Sequence, residues 1–381
     1  MTRRTTICCS ALLLLALAKR PDPVGLVPLR PVWTLALNNH LSFAPAFDER
    51  RGYFAIEGDR LVAYEVVSGK QLWIVKAAMV LPPIAADDLV YCVETGAVVA
   101  RRTADGSVAW RTEIAEPLAV RPTAGHGWVV GVTKSGTVVA IRAADGQVAW
   151  RRDLASPPRV PVTISAIAQQ RVYVPTTGSR IVALEMTTGE PAWERRVGGL
   201  PGEVLALEGR VYAGSTDTFT YCLMAKDGQI DWRYRTGGDV LGVPVADDRR
   251  IYVVSKDNVL RALNQVSGGQ HWMRALPFRP TAGPLLAGGV LAVAGEFPTI
   301  KTFNAKDGSP ATDITAGDEV TAPPQLLPEP GTGLPMLVVV TRHIIKGDTV
   351  ALSVRTLEPA GTPFAPLANT VTPPPMQAPR Q

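Results

Sequence analysis

The chain has 381 residues, 46% of them hydrophobic, which is ample material for a sizeable core. Its formal charge is +5, and discounting Arg3 and Arg4 of the leader leaves 5 − 2 = +3. That balance is too mild for nucleic-acid binding, and no basic run is interleaved with aromatic residues as such binding requires.

Met1–Ala18 has the form of an export signal. Arg3 and Arg4 give a positive start, Ile7–Ala18 is a twelve-residue apolar run, and Ala16-Leu17-Ala18 is an A-x-A cleavage site. The run is shorter than the roughly 20 residues of a membrane span. Lys19 and Arg20 follow the cleavage site directly, which leaves an uncleaved anchor as the alternative. Cys8 and Cys9 come too early to carry a lipid after cleavage, and no further Cys occurs before Cys92. Residues 19–31, proline-rich from Pro21 to Pro31, read as an extended tether with little structure.

Trp33 then stands alone on a strand candidate, Val32–Leu37, that lacks a preceding hairpin. From there the chain repeats one unit, clearest at Gly136–Trp150. Val138 to Ile141 form a strand with both faces at least partly buried, Asp145-Gly146 is a tight turn, and a second strand leaves through Val148 and Trp150. A Gly four residues before a Trp recurs at Gly69/Trp73, Gly106/Trp110, Gly146/Trp150, Gly189/Trp193, Gly228/Trp232 and Gly268/Trp272, with Trp spacings of 37, 40, 43, 39 and 40. A seventh copy, Lys306-Asp307-Gly308, has Thr312 where Trp is expected. Six residues before each Gly sits a small residue: Ala63, Ala100, Ala140, Ala183, Cys222, Ala262 and Thr302. About twenty residues before Trp a tyrosine recurs, at Tyr53, Tyr91, Tyr173, Tyr212 and Tyr252.

A period near 40 with β-turn punctuation predicts four-stranded propeller blades. Seven fall at 44–77, 82–114, 120–154, 162–197, 203–236, 242–276 and 282–316, and an eighth near 322–358 has strands at Met336–Thr341 and Thr349–Thr356 but no Trp strand after them. The strand around Trp33 supplies the missing piece, giving an all-β, eight-bladed β-propeller over 32–358 closed by its N-terminal strand, with no open sheet edge between first and last blades. Residues 359–381 hold seven prolines in 23 residues and no period, and read as a disordered tail.

Few residues suggest chemistry. Cys222 occupies the small-residue slot and Cys92 follows the recurrent Tyr, in blades too far apart for a disulfide, so both read as buried thiols. Asp87-Asp88 and Asp247-Asp248 could be acid–base pairs, but both fall in the first turn of a blade and read as solvated turns. His40, His126, His271 and His343 do not converge on a metal site, and no phosphate loop or nucleophile elbow is present. Arg111, Arg151, Arg152, Arg195, Arg196, Arg233, Arg235 and Arg274 follow the tryptophans on the outermost strands. They read as edge protection, with a basic rim for an acidic partner as the alternative.

The small residue, the turn Gly and the Trp together resemble the quinoprotein-type (PQQ-like) propeller repeat, across residues 33–358. Within it the chain is similar to the BamB-like outer-membrane protein assembly factors, in its export signal, ring length, closing strand led by Trp33 and penultimate blade without Trp. That resemblance implies that Trp33, Trp73, Trp110, Trp150, Trp193, Trp232 and Trp272 dock between neighbouring blades, and that the protein is a non-catalytic, periplasmic scaffold, a monomeric ring without cofactor or metal, for a barrel-assembly partner that also links it to the membrane. The chain departs from the family in lacking a lipidation cysteine, and in the loop before its fourth blade, Ala155–Pro161, which keeps one basic residue without the family's leucines. Quinone-dependent dehydrogenases share the repeat but are much longer and carry an adjacent-cysteine disulfide above the cofactor. Here the only adjacent pair, Cys8-Cys9, lies in the leader.

Alternating strand direction sorts the loops onto two faces. Asp-Gly turns and first-hairpin turns share one, and inter-blade links and second-hairpin turns share the other. The linking face carries the longer and more varied segments, Ser156–Thr163, Gly198–Glu203 and Leu276–Pro284, and variable loops on a rigid scaffold are where binding concentrates. Arg159, Leu200 and Phe278 are the exposed partner-binding candidates there. An enzyme or small-ligand binder using the central channel is the alternative, which convergent polar residues in the funnel would favour. An envelope sensor or polysaccharide-binding module is a third reading.

Overall fold

The computed structural model describes residues 25–37, 40–165, 170–316, 318–329, 332–343, 347–355 and 370–371. The expected export signal, the first part of the tether, most of the tail and the side chain of Trp33 lie outside the described residues. Seven sheets each contain four consecutive antiparallel strands, ordered from the channel outward as they occur in the chain. Blade 1 comprises Ala46–Phe47, Arg51–Ile56, Arg60–Glu65 and Gln71–Lys76; blade 5 comprises Pro201–Leu207, Arg210–Ser215, Phe219–Met224 and Ile230–Arg235. The other five follow the same plan, and blade 7 ends with the short strand Ile314–Thr315.

The eighth blade closes the ring. Leu29–Ala36 pairs antiparallel with Gly347–Arg355, which pairs with Pro335–His343. The innermost place is shared by Glu319–Val320 and Gln325–Pro328, both hydrogen-bonded to Pro335–His343. Leu35 and Leu37 of the closing strand are buried with Phe54, Val62 and Tyr64 of blade 1 and Met336, Val338 and Val340 of blade 8. The Gln325 amide donates to the Pro45 carbonyl at 3.0 Å, fixing the inner strands across the same seam. First and last blades are thus held by one continuous apolar cluster, the usual driving force for such closure.

The repeated residues explain one another. In register, the small residue lies between the tyrosine and the tryptophan: Tyr53↔Ala63↔Trp73, Tyr91↔Ala100↔Trp110, Tyr173↔Ala183↔Trp193, Tyr212↔Cys222↔Trp232 and Tyr252↔Ala262↔Trp272. Two strand spacings separate tyrosine from tryptophan backbones by about 9.6 Å. Their ring centroids nevertheless approach to 5.8–6.0 Å, leaning together over the small side chain. A larger residue there would hold the rings apart.

The tether differs from its sequence reading. Leu26 is fully buried, among Val290, Ala292 and Ile300 of blade 7 and Leu337 of blade 8. This is the blade whose tyrosine and tryptophan positions hold Ala292 and Thr312, so a side chain from outside the repeat fills volume that the aromatics fill elsewhere. Strand structure begins at Leu29, three residues before the expected start. In the tail, Thr370–Val371 pairs parallel with Thr34 and Leu35, occupying part of the closing strand's outer edge. An exposed strand edge offers unpaired N–H and C=O groups, and a nearby extended segment satisfies them.

Candidate functional site: the linking-loop face

The blades that carry this face are locked to one another toward the opposite side, at the Asp-Gly turns. Six indole N–H groups donate to a backbone carbonyl in the next blade at 2.7–3.0 Å: Trp73 to Thr103, Trp110 to Ala143, Trp150 to Met186, Trp193 to Ala225, Trp232 to Gln265 and Trp272 to Ala305. Each acceptor lies three residues before the next blade's turn glycine, and the indole lies flat on that glycine. A Cβ at Gly146, Gly189 or Gly228 would stand 2.5 Å from the ring above it. Some carbonyls accept twice: Gln265 also receives Tyr212 Oη at 3.2 Å, and Ala305 receives Tyr252 Oη at 3.0 Å.

A second contact escaped the sequence reading. The residue two after the tryptophan donates to the carbonyl of the turn glycine itself: Thr112 to Gly146 at 2.5 Å, Arg152 to Gly189 at 2.9 Å, Arg195 to Gly228 at 2.6 Å and Arg274 to Gly308 at 2.7 Å. These arginines therefore latch blade to blade rather than only charging an edge. The residue type varies and the acceptor is a backbone atom some 34 residues on, so no side-chain pattern announces it.

On the linking face, Arg159 is exposed and its loop is pinned. Thr177 donates to the Pro157 carbonyl through its amide at 2.9 Å and its hydroxyl at 3.0 Å, and Pro158 bridges Thr176. Leu200 is half-buried. Its amide donates to Thr216 Oγ1 at 2.9 Å and its carbonyl accepts the Thr216 amide at 3.1 Å. Phe278 corrects the sequence reading: it is 8% exposed, packed with Trp272, Leu276 and Leu291. Its ring lies over Gly295, where a Cβ would meet Phe278 Cδ2 at 2.3 Å, so a glycine on the adjacent strand makes room for a loop aromatic. Leu118 uses Gly131 in the same way. Its neighbours Pro277 and Arg279 are exposed instead, and Arg279 is the charged one.

The channel strands carry few polar side chains, and most are occupied. Thr123 donates to the Val162 carbonyl at 2.6 Å, Thr163 to the Val204 carbonyl at 2.8 Å, and Gln325 to Pro45. Two carboxylates lie on the described channel strands, Glu319 in blade 8 and Glu203 in blade 5; burial raises the pKa of Glu203, and the charge of Arg121 opposes that shift. Among the described residues no three His, Cys, Asp or Glu side chains gather as a metal site.

The other candidates disperse. Cys92 and Cys222 are free, fully buried thiols in blades 2 and 5, and burial pushes each up to about 12. Asp87 and Asp88 occupy a turn at positive φ, and Asp87 accepts the Gly127 amide at 3.0 Å. Asp247 is structural: it accepts Tyr252 Oη at 2.5 Å, the Arg249 and Arg250 amides at 2.9 and 2.7 Å, and the Arg250 guanidinium at 3.0 Å. Burial alone would raise its pKa, but these hydrogen bonds outweigh it and hold the carboxyl below the ordinary aspartate value.

The ring and its interlocking aromatics define the class of protein: an eight-bladed propeller in which an outer-strand tryptophan docks on the following blade. The sequence profile of the family described as outer membrane protein assembly factor BamB matches residues 30–100, 77–204 and 196–308, and the chain belongs to that family. Among curated relatives, the assembly factor BamB of Yersinia pestis is 27% identical over 145 residues, 34% of this chain and 37% of that one. The match to the Moranella endobia protein spans 30% of its length. The Bordetella pertussis BamB is 24% identical over 318 residues, 78% of this chain and 82% of that one. Among solved structures, BamB from Moraxella catarrhalis superposes with a TM-score of 0.70 at 18% identity, covering 87% of this chain and 98% of that one. Quinohemoprotein alcohol dehydrogenase from Comamonas testosteroni superposes at 0.65 and 13% identity, covering 86% and 76%. At such identities the structural likeness is one of fold.

Proposed function

We propose that the protein is a non-catalytic periplasmic scaffold that holds a protein partner during assembly of outer-membrane β-barrel proteins. Family membership over residues 30–308 carries this reading. The pinned loops of the linking face supply a rigid docking surface, with Arg159 and Leu200 as contacts and Arg279 as an added exposed cation. Rigid loops bind with little ordering entropy, which favours a preformed interface. The mechanism is docking: the partner meets loops pinned by their own hydrogen bonds, on a ring whose blades are locked together by the indole and arginine contacts at the turns of the opposite face, and no bond is made or broken.

The channel does not compete well as a site. Its threonines and Gln325 already bond to neighbouring blades, which leaves Glu203 of blade 5 and Glu319 of blade 8 as the carboxylates of the described inner strands, in separate blades. Affinity capture from native envelopes with the tagged chain, crosslinked and read by mass spectrometry, tests the proposal. Recovery of a barrel-assembly subunit supports it. Capture of no protein together with a co-purifying quinone or sugar overturns it and moves function into the channel.

A further inference from the structure

From blade 3 to blade 6, each second-hairpin turn on the linking face is tied to the link that precedes its blade. In blade 3 Ser135 Oγ donates to the Glu116 carboxylate at 2.5 Å, and in blade 4 Thr177 Oγ1 donates to the Pro157 carbonyl at 3.0 Å. In blade 5 the Leu200 amide donates to Thr216 Oγ1 at 2.9 Å, and in blade 6 the Gly237 amide donates to Asp257 Oδ2 at 2.9 Å. Blade 2 is the exception. It turns in two residues, Thr95 and Gly96, between the paired Glu94 and Ala97, where blades 1, 4 and 6 use three. Thr95 makes no side-chain hydrogen bond among the described residues, and a Cβ at Gly96 would meet nothing closer than Glu113 Oε2 at 4.0 Å.

The short turn leaves a slot of about 410 Å³ between blades 2 and 3. Val93, Ile114 and Leu118, all buried, form its floor, with Val80 of one link and Pro117 and Ala119 of the next as walls. Both links are fixed: the Val80 amide donates to the Val93 carbonyl and the Ala119 amide to the Val132 carbonyl, each at 2.8 Å. Val80 is 48% exposed. It follows the residue that bridges its blade, Met79, and at that position the other bridged links carry Ser42, Ala119, Arg159 and Thr281. Blade 2 alone among them presents a large apolar side chain there. Lys134 stands at one end of the slot, exposed and in no ion pair among the described residues. The nearby carboxylates are engaged: Glu94, which lines the slot, by Arg101 and Arg111 at 3.4 and 2.7 Å, and Glu116, next to Pro117, by Ser135. The slot therefore combines an apolar interior with one uncompensated positive charge.

We infer that this slot receives apolar side chains from an acidic segment of the protein partner: leucine-like groups enter between Val80 and Pro117, and a neighbouring carboxylate meets Lys134. Burial of apolar surface supplies most of the affinity, and the charge pair fixes the direction of the segment. A basic segment is disfavoured, because it brings a like charge to Lys134. The inference rests on the scaffold reading; it adds a contact between blades 2 and 3 of the same face, apart from Arg159 and Leu200, and states the chemistry of the partner.

The probe is a fluorescein-labelled heptapeptide, Gly-Asp-Leu-Ser-Leu-Asp-Gly, followed by anisotropy against the full chain. Lys134→Glu reverses the charge at an exposed position, Ala119→Phe fills the slot from its wall, and Lys226→Glu on the opposite face is the control. A thermal melt checks that each ring is intact. We expect wild type and Lys226→Glu to bind alike, and Lys134→Glu and Ala119→Phe each to weaken binding at least fivefold. A basic peptide, Gly-Lys-Leu-Ser-Leu-Lys-Gly, should prefer Lys134→Glu to wild type, an exchange that a damaged fold cannot produce. No binding to wild type, equal binding to both slot variants, or no exchange of preference overturns the site. Self-association of wild type that Ala119→Phe abolishes assigns the slot to a second copy, and a lipophilic small molecule that co-purifies with wild type but not with Ala119→Phe assigns it to a small ligand; either overturns the inference. Envelope capture separates this inference from the scaffold reading. A barrel-assembly subunit captured equally by wild type, Lys134→Glu and Ala119→Phe sinks the slot and leaves the scaffold; no protein captured by wild type sinks the scaffold and the partner of the slot with it.

Discussion

Two glycines of blade 5 separate the cost of a backbone conformation from the cost of displacing a docked ring. Gly209, in the first-hairpin turn, has φ +76° and no atom within 4 Å of a virtual Cβ. Gly228, in the turn beneath Trp193, has φ +68° and a virtual Cβ 2.5 Å from Trp193 Cε3. Alanine at either position adopts the left-handed region at a cost of about 1–2 kcal/mol. At Gly228 the methyl group must also push the indole back by roughly 1 Å, while the 2.7 Å bond from the indole to the Ala225 carbonyl resists the movement. Overpacking of this kind costs a further ~1–3 kcal/mol. We therefore expect Gly209→Ala to lose about 1–2 kcal/mol and Gly228→Ala about 2–5 kcal/mol. Urea unfolding at constant m-value measures both. In a Trp193→Ala background the excess at Gly228 should vanish, because the ring that opposes the methyl group is gone. Equal losses for the two glycine variants, or an excess that survives removal of Trp193, would refute the docking argument.

Further outcomes follow from the same geometry. Leu26→Ala should destabilise the chain by about 2–5 kcal/mol, as for a large core truncation, although the residue lies in a proline-rich stretch; urea unfolding reads it, and a neutral result contradicts its role in filling the blade 7–blade 8 interface. Arg195→Met should cost about 1–3 kcal/mol, because it removes a charged donor from the Gly228 carbonyl while keeping the aliphatic stem. The folded pKa of Asp247 lies below its unfolded value, so its stabilisation is complete above about pH 4–5 and fades as pH falls through the folded value. Asp247→Asn should flatten the acid limb of a stability–pH curve between about pH 5 and pH 2. Cys92 and Cys222, buried and raised to about 12, should resist a thiol reagent at pH 8 in the native chain and react in urea.

The architecture was legible because one contact is reused in every blade. An indole that must lie on the next turn glycine forces a Gly–Trp spacing of four within each blade, and a chain-wide period near 40 follows. The closing strand was legible for the same reason, since Trp33 had no hairpin of its own. What escaped the sequence depends on backbone partners or on shape. The latch to the glycine carbonyl tolerates Thr112 or Arg195, and a Val at position 75, because its acceptor is main chain. The burial of Phe278 depends on the absence of a side chain at Gly295, and the burial of Leu26 on the missing aromatics of blade 7. Both signals were present as a small residue opposite a large one, but the facing residues are distant in sequence.

The central claim is that the linking-loop face holds a protein partner. A photo-crosslinking residue placed in turn at Arg159 and Leu200, and at Asp105 and His126 on the opposite face, tests it most directly in native envelopes. The account predicts adducts with a barrel-assembly subunit from positions 159 and 200 and none from 105 and 126. Adducts spread evenly over both faces, or no protein adduct from any of the four, would contradict it.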